Sequence, residues 1–241
     1  MLNQFSRTEL LIGKDNLEKI KNAKVAVFGI GGVGSYVVEG LTRAGISNFI
    51  LIDNDEYSLT NLNRQLYATN DTIGRKKVEV AKERILKIND KANVTIYDEL
   101  FMPENNFVNF DGVDYIVDAI DTVKAKIELV KTANKLNIPI ISCMGTGNKL
   151  DPTKLEISDI KKTSVCPLAK VMRKELKKIG ITSLKVVYSK EEPIKVNKED
   201  LEIMIKEEGS KKRSIPASIS FVPSVAGLII VSEIIKDIIN K

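Results

Sequence analysis

Residues 29–35 read GIGGVGS and follow directly on the apolar run Lys24-Val25-Ala26-Val27-Phe28. A short apolar run that ends in clustered glycines marks a buried strand turning sharply into a helix. Gly29, Gly31 and Gly34 give G-x-G-x-x-G. The first permits the tight turn, the second lets backbone approach a phosphate, and the third lets helix pack on strand. The helix start adds amide donors and the positive end of a dipole. The loop is therefore read as phosphate-binding. Alone it leaves open whether the phosphate belongs to a dinucleotide or to ATP.

The alternation continues beyond the loop. Val33 to Ala44 reads as a helix, and Asn48 to Asp53 as an apolar strand ending in an acid. Residues 74–89 form a helix, with Val78, Ala81, Ile85 and Ile88 near a 3.6-residue period. Strands follow at 93–97, 113–118 and 139–143, with a helix at 125–136 between the last two. Past Cys143 the spacing predicts a strand from Lys154 to Ile160, a helix from Pro167 to Ile179 and a strand from Leu184 to Ser189. A charged, mobile segment over 190–214 then holds a short helix at 198–206, and a helix closes the chain from Pro223 to Ile239. This order predicts an α/β fold: a Rossmann-like, doubly wound, mostly parallel sheet with helices on both faces. A C-terminal α+β extension continues that sheet. The 241 residues, 43% of them hydrophobic, suffice for one domain with a sizeable core. Residues 1–147 form its nucleotide-binding core and 148–241 its substrate-binding extension.

Two cysteines, Cys143 and Cys166, and no histidine exclude a four-cysteine zinc site and any Ser-His or Cys-His catalytic unit. So few cysteines fit a reducing compartment, and the early residues lack the apolar core of a signal peptide. A cytoplasmic protein is expected, and the charges within 227–239 argue against a membrane span. The net charge of +5 divides unevenly, −1 over residues 1–145 and +6 over 146–241. That points to a polyanionic partner for the second part.

In such sheets ligands bind beyond the carboxyl ends of the strands, where the glycine loop, Asp53 and Asp121 all fall. Asp53, 24 residues after Gly29, suits ribose hydroxyls. The stretch that follows, DNDEYSLTNLNRQ over 53–65, is not what a dehydrogenase needs there. It puts Asp55, Asn61, Arg64 and Gln65 beside the cleft, and Gly74-Arg75-Lys76-Lys77 adds a lysine near a helix start. Asp118 and Asp121 are acids able to hold Mg²⁺, which prefers carboxylates together with phosphate oxygens. Glycine loop, arginine, lysine and metal acid together describe an ATP site in which Arg64 and Lys77 neutralise a leaving pyrophosphate. The expected nucleotide set is Gly29, Gly31, Gly32, Gly34, Asp53, Asp55, Asn61, Arg64, Gln65, Lys77 and Asp121.

GIGGVGS, DNDEYSLTNLNRQ, GRKKVEVAKERI and VDAIDTVKAK, in that order, resemble the adenylating family that includes ubiquitin-activating enzymes and the bacterial ThiF and MoeB proteins. The resemblance runs from about Phe5 to Gly147. It implies that Gly31 lies along the nucleotide, that Asp53 binds ribose, and that Asn61, Arg64 and Lys77 engage the phosphates. It makes Asp121 the Mg²⁺ ligand and Arg7 an arginine lent to the site of a dimer partner. Arg7, Arg64, Lys77 and Asp121 are thus the implied catalytic set. Members that activate ubiquitin-like proteins usually carry paired C-x-x-C zinc motifs, which this chain lacks. Its second part, with NKLDPT at 148–153, DIKKT at 159–163 and FVPSVAGLIIVSEIIKDI at 221–238, resembles the tRNA threonylcarbamoyladenosine dehydratases instead. These often have Asp where Cys166 stands. The implied reaction adenylates the threonyl carboxylate of a modified tRNA adenosine with ATP and closes a ring with loss of water. Adenylation of a ubiquitin-like or sulfur-carrier protein is the alternative, and a dehydrogenase or NAD-binding regulatory module a third. A homodimer is implied, and a cysteine desulfurase or sulfur acceptor is a further candidate partner.

On residues 167–179, Lys170, Arg173, Lys174, Lys177 and Lys178 fall on one helical face, with Lys161 and Lys162 just before it. Such a ridge fits a tRNA phosphate backbone, and Lys211, Lys212 and Arg213 add further candidates. Cys143 reads as a core residue. Cys166 reads as a loop thiol beside basic groups, which suits a lowered pKa and a sulfur-carrying role.

Overall fold

The computed structural model describes residues 2–105, 107–207 and 215–240. Its centre is the apolar run that precedes the glycines, strand β1 (Lys24–Phe28), paired in parallel with β2 (Asn48–Ile52) on one side and β4 (Tyr115–Asp118) on the other. Outward from β2 lies β3 (Asn93–Tyr97). Outward from β4 lie β5 (Ile140–Cys143), β7 (Lys185–Ser189) and β6 (Leu155–Asp159), giving the order β3-β2-β1-β4-β5-β7-β6. All pairings are parallel except β6 with β7. The strand order reverses between β1 and β4, the switch point at which open α/β sheets bind ligands.

The helices are α1 (Ser6–Ile12), α2 (Lys14–Asn22), α3 (Gly34–Ala44), α4 (Lys77–Ile88), α5 (Val123–Leu136), α6 (Pro167–Lys178), α7 (Lys198–Glu207) and α8 (Phe221–Ile239). The central strands are buried on both faces, as parallel strands between helix layers must be. Val25 and Val27 join the core under α3, α4 and α8, while Ala26 and Phe28 join the core against α5 and the 98–112 segment. A third core joins Val130 of α5 to Met172 and Leu176 of α6 and Val186 of β7, fixing the extension to the first part. Helix α8 buries Val222, Ala226, Ile230, Ile234 and Ile238, one stripe at four-residue spacing. Its last turns are pinned by Tyr115, whose hydroxyl donates to Asp237 at 2.7 Å, and by Lys185, paired with Glu233 and Asp237 at 2.8 and 2.7 Å.

The expected strands and helices are present, with ends displaced by up to three residues. The two N-terminal helices were not anticipated, because α2 buries only Leu17 and Ile20 and α1 buries none of its residues. The stretch expected to be mobile opens with fixed backbone: Lys190 N donates to Lys154 O at 3.0 Å and Ile194 N to Asn148 O at 2.8 Å. Lys211, Lys212 and Arg213 lie outside the described residues. Among the described residues no helix is long and apolar enough to cross a membrane.

Candidate active site

The glycine loop leaves β1 with Gly29 at φ +87°, its amide donating to Ile52 O at 2.8 Å. A Cβ on Gly29 would sit 2.7 Å from Ala119 O, and one on Gly34 only 1.8 Å from Gly29 O. These two glycines let the loops after β1 and β4 close on the start of α3. Gly31 and Gly32 face the other way: the nearest neighbours of a Cβ there would be Gln65 Nε2 at 3.8 Å and Arg64 Cγ at 3.4 Å. The loop is thereby fixed from behind and covered in front by the 61–65 segment.

Asp53 directly follows β2 and fastens the 53–55 turn to the glycine loop. Its Oδ2 accepts from Ile30 N at 2.6 Å and its Oδ1 from Asp55 N at 2.9 Å. Burial raises its carboxyl pKa above the usual value, against the opposing pull of Lys77 and the two amides. Lys77 opens α4 at 5% exposure, with its Nζ 2.7 Å from Asp55 Oδ2. Arg64 donates from Nη1 to Thr60 O at 2.8 Å and Asn63 Oδ1 at 3.0 Å. Asn61 caps its own turn, accepting from Ser58 N at 3.2 Å. Gln65 is buried, and its Oε1 has no hydrogen-bond partner among the described residues. A buried carbonyl without a donor, beside Gly31, is where an arriving ligand would supply one. Tyr57, absent from the sequence-derived set, has a buried hydroxyl in the same condition, and burial and then Asp53 raise its pKa. Nothing in the sequence distinguishes it from a core tyrosine.

The loop after β4 separates the two acids offered as metal ligands. Asp121 is exposed and accepts from the Thr122 hydroxyl at 3.2 Å. Asp118 is fully buried and committed to structure: Lys126 Nζ lies 2.9 Å away, Ser142 Oγ donates to it, and Ile120 N donates at 3.2 Å. Asp118 is thus corrected from candidate metal ligand to half of a buried ion pair. Lys126, also fully buried, donates as well to Ile120 O and Cys143 O at 3.2 and 2.9 Å. It ties together the loops that leave β4 and β5.

Arg7 is not brought to this cleft within one chain. Phe5, two residues away, packs beside Gly45 at the far end of α3, and a helix of this length separates its ends by about 16 Å. Arg7 is exposed there.

The basic ridge is real but shorter than expected. Lys161, Lys162, Lys170, Lys174 and Lys177 are exposed. Arg173 turns inward, donating to Ile160 O, Thr163 O and Thr163 Oγ1 at 3.2, 2.9 and 2.6 Å. Lys178 is paired with Glu175 at 2.8 Å. Cys166 is corrected too: at 3% exposure it packs with Met144 and Ala169 rather than standing open on a loop. Cys143 is buried, which pushes its thiol pKa up to about 12.

A family model described as the ThiF family matches residues 5–241. The chain is 45% identical to the tRNA threonylcarbamoyladenosine dehydratase of Bacillus subtilis, over 100% of this chain and 96% of the relative. It is 33% identical to the adenylyltransferase and sulfurtransferase UBA4 of Saccharomyces cerevisiae, over 59% of this chain and 32% of that protein. The crystal structure of the E. coli tRNA N6-threonylcarbamoyladenosine dehydratase in complex with ATP superposes with a TM-score of 0.86 at 32% identity, covering 98% of this chain and 94% of that one.

Proposed function

The chain belongs to the ThiF family, and from that premise we propose that it is an ATP-dependent tRNA threonylcarbamoyladenosine dehydratase. One observation carries the choice within the family. Likeness to the dehydratase extends through the whole extension, whereas likeness to the carrier-protein adenylyltransferase covers only 59% of the chain.

The chemistry follows from the cleft. A carboxylate oxygen of the threonyl group attacks the α-phosphorus of ATP, and the bond to pyrophosphate breaks. The ureido nitrogen then attacks the activated carbonyl and loses its proton, and AMP leaves with the former carboxylate oxygen. The net change is loss of one water from the nucleoside. No enzyme nucleophile is consumed, so the chain's part is orientation and charge stabilisation. The glycine-loop amides and the start of α3 receive phosphate, Asp53 and Asp55 face the ribose side, and Gln65 supplies its unpaired carbonyl. Arg64 and Lys77 neutralise the departing pyrophosphate, and Asn61 holds the turn that presents Arg64. Asp121, a single exposed carboxylate at the lip, suits an ion that takes its remaining ligands from phosphate and water. Bound there, Mg²⁺ would offset phosphate charge.

A second copy of the chain supplies Arg7. Support comes from α1, whose Leu10 and Leu11 are 88% and 84% exposed, a face that a homodimer would bury. The cytoplasm is the proposed compartment. The only two cysteines are buried, so a sulfur-transfer partner would find no surface thiol here.

The tRNA backbone lies along α6, which spans about 18 Å from the cleft end at Cys166 to the opposite edge of the sheet. Replacing Lys170, Lys174 and Lys177 by Glu is expected to weaken tRNA binding and to reduce the slope of log K against log salt by about 2–3. Fluorescence anisotropy across a salt series reads both, and an unchanged slope would remove α6 from the interface. Pyrophosphate release tests the function itself: modified tRNA should trigger it, and a carrier-protein C-terminus should not. The reverse pattern favours the carrier-protein reading.

A further inference from the structure

Three fully buried polar side chains meet where β4 and β5 end: Asp118, Lys126 and Ser142. Asp118 is the last residue of β4, Ser142 is its register partner on β5, and Lys126 stands in the first turn of α5. An ion pair buried this deeply is a poor way to stabilise a fold, since apolar side chains of similar volume do as well or better. What it can do, and they cannot, is hold backbone oxygens at fixed points.

A lysine ammonium has three donors. Here all three are engaged, with Asp118 Oδ2 at 2.9 Å, Ile120 O at 3.2 Å and Cys143 O at 2.9 Å. Both carbonyls belong to the ends of strands that border the cleft. The loop after β4 is fixed from other directions as well. Ala119 N donates to Phe28 O at 2.9 Å and Ile120 N to Asp118 Oδ1 at 3.2 Å. Ala119 O lies so near Gly29 that a Cβ there would sit 2.7 Å from it. Asp121 is the next residue, so its main chain starts from a point set by Lys126 and Asp118. An exposed carboxylate offered singly to Mg²⁺ gains much from such placement, because that ion demands near-ideal octahedral geometry.

We infer that Lys126 is a positioning residue that aims Asp121 at the Mg²⁺ of the ATP site by holding Ile120, an assignment that rests on the Mg²⁺ reading of Asp121 above. At 0% exposure Lys126 touches neither nucleotide nor ion, and it acts only through the backbone it holds. Asp118 keeps Lys126 charged and in place.

Calorimetry of ATP binding without tRNA tests this. Affinity is measured in Mg²⁺ and in EDTA for the full chain as wild type, Asp121→Asn, Asp118→Asn/Lys126→Met, and all three changes together. The paired substitution leaves no buried charge uncompensated. Wild type should bind ATP more tightly in Mg²⁺, and Asp121→Asn should lose most of that gain. Asp118→Asn/Lys126→Met should reduce the gain by up to about 10-fold, as when a metal ligand loses its outer support, with the affinity in EDTA kept within about twofold. Combined with Asp121→Asn it should add almost nothing, because changes that act through one ligand are not additive. Ser142→Ala takes one donor from Asp118 and uncovers no charge, so it repeats the comparison at less risk to the fold and should reduce the gain by a smaller factor. The assignment is overturned if every variant that folds keeps the wild-type gain. It is overturned too if the effects of the paired substitution and Asp121→Asn add in full, or if affinity falls equally with and without Mg²⁺, the mark of a structural role. A wild type without the gain, or an Asp121→Asn protein that keeps it, overturns the Mg²⁺ reading of Asp121 and the assignment with it. The dehydratase reading is judged separately, by the nucleoside product.

Discussion

Lys77→Met should slow tRNA-dependent pyrophosphate release by about 10²- to 10³-fold, the usual consequence of removing one preorganised charge from a transition state. The side chain is 5% exposed at the first residue of α4, so its ammonium acts in a cleft already poor in water. Its partner Asp55 carries a side chain 61% exposed to solvent. Water can therefore solvate the carboxylate left behind, and an ion pair with so open a partner contributes little to stability. Methionine keeps the stem that packs at the helix start. The expected pattern is a large loss of rate with little change in Tm, read by a pyrophosphate assay and a thermal melt of the same preparation. A melt that falls in step with the rate would make Lys77 a structural residue.

Gly34→Ala should have the reverse pattern, a large loss of stability, with activity lost only as the protein melts at a lower temperature. The added Cβ would lie 1.8 Å from Gly29 O, and the backbone on both sides is tightly placed. Gly29 cannot retreat, because it is held at φ +87° with Ala119 O behind it. Relief requires the loops after β1 and β4 to separate from α3, at a cost of about 3–5 kcal/mol, above ordinary overpacking. On a chain of this size that is a fall in Tm of about 10 °C. Gly31→Ala is the matched control: nothing lies closer than 3.8 Å to its Cβ, so the fold should hold while ATP protection weakens. Equal melts for the two variants would contradict the division of labour within the loop.

The strand-loop-helix unit and the acids at strand ends were legible because they are local. A buried strand, its glycines and the helix after them lie between Lys24 and Ala44, and periodicity reports them directly. What escaped depends on topology or on the direction of single side chains. Asp118 reads as a cleft acid by position, yet Lys126, eight residues later, folds back to pair with it, and Ser142 of the next strand donates to it. A helical wheel places Arg173 among solvated cations, but carbonyls of the 160–163 turn lie within its reach and draw it inward. Cys166 sits beside lysines in sequence while its side chain faces the core between α5 and α6.

This chain is proposed to use ATP to remove water from one modified adenosine in tRNA. The most direct measurement is mass spectrometry of the nucleosides from threonylcarbamoylated tRNA incubated with the protein, ATP and Mg²⁺. Threonylcarbamoyladenosine should be replaced by a product lighter by one water, with one AMP and one pyrophosphate formed per conversion. An unchanged nucleoside mass, from protein that ATP demonstrably stabilises, would contradict it.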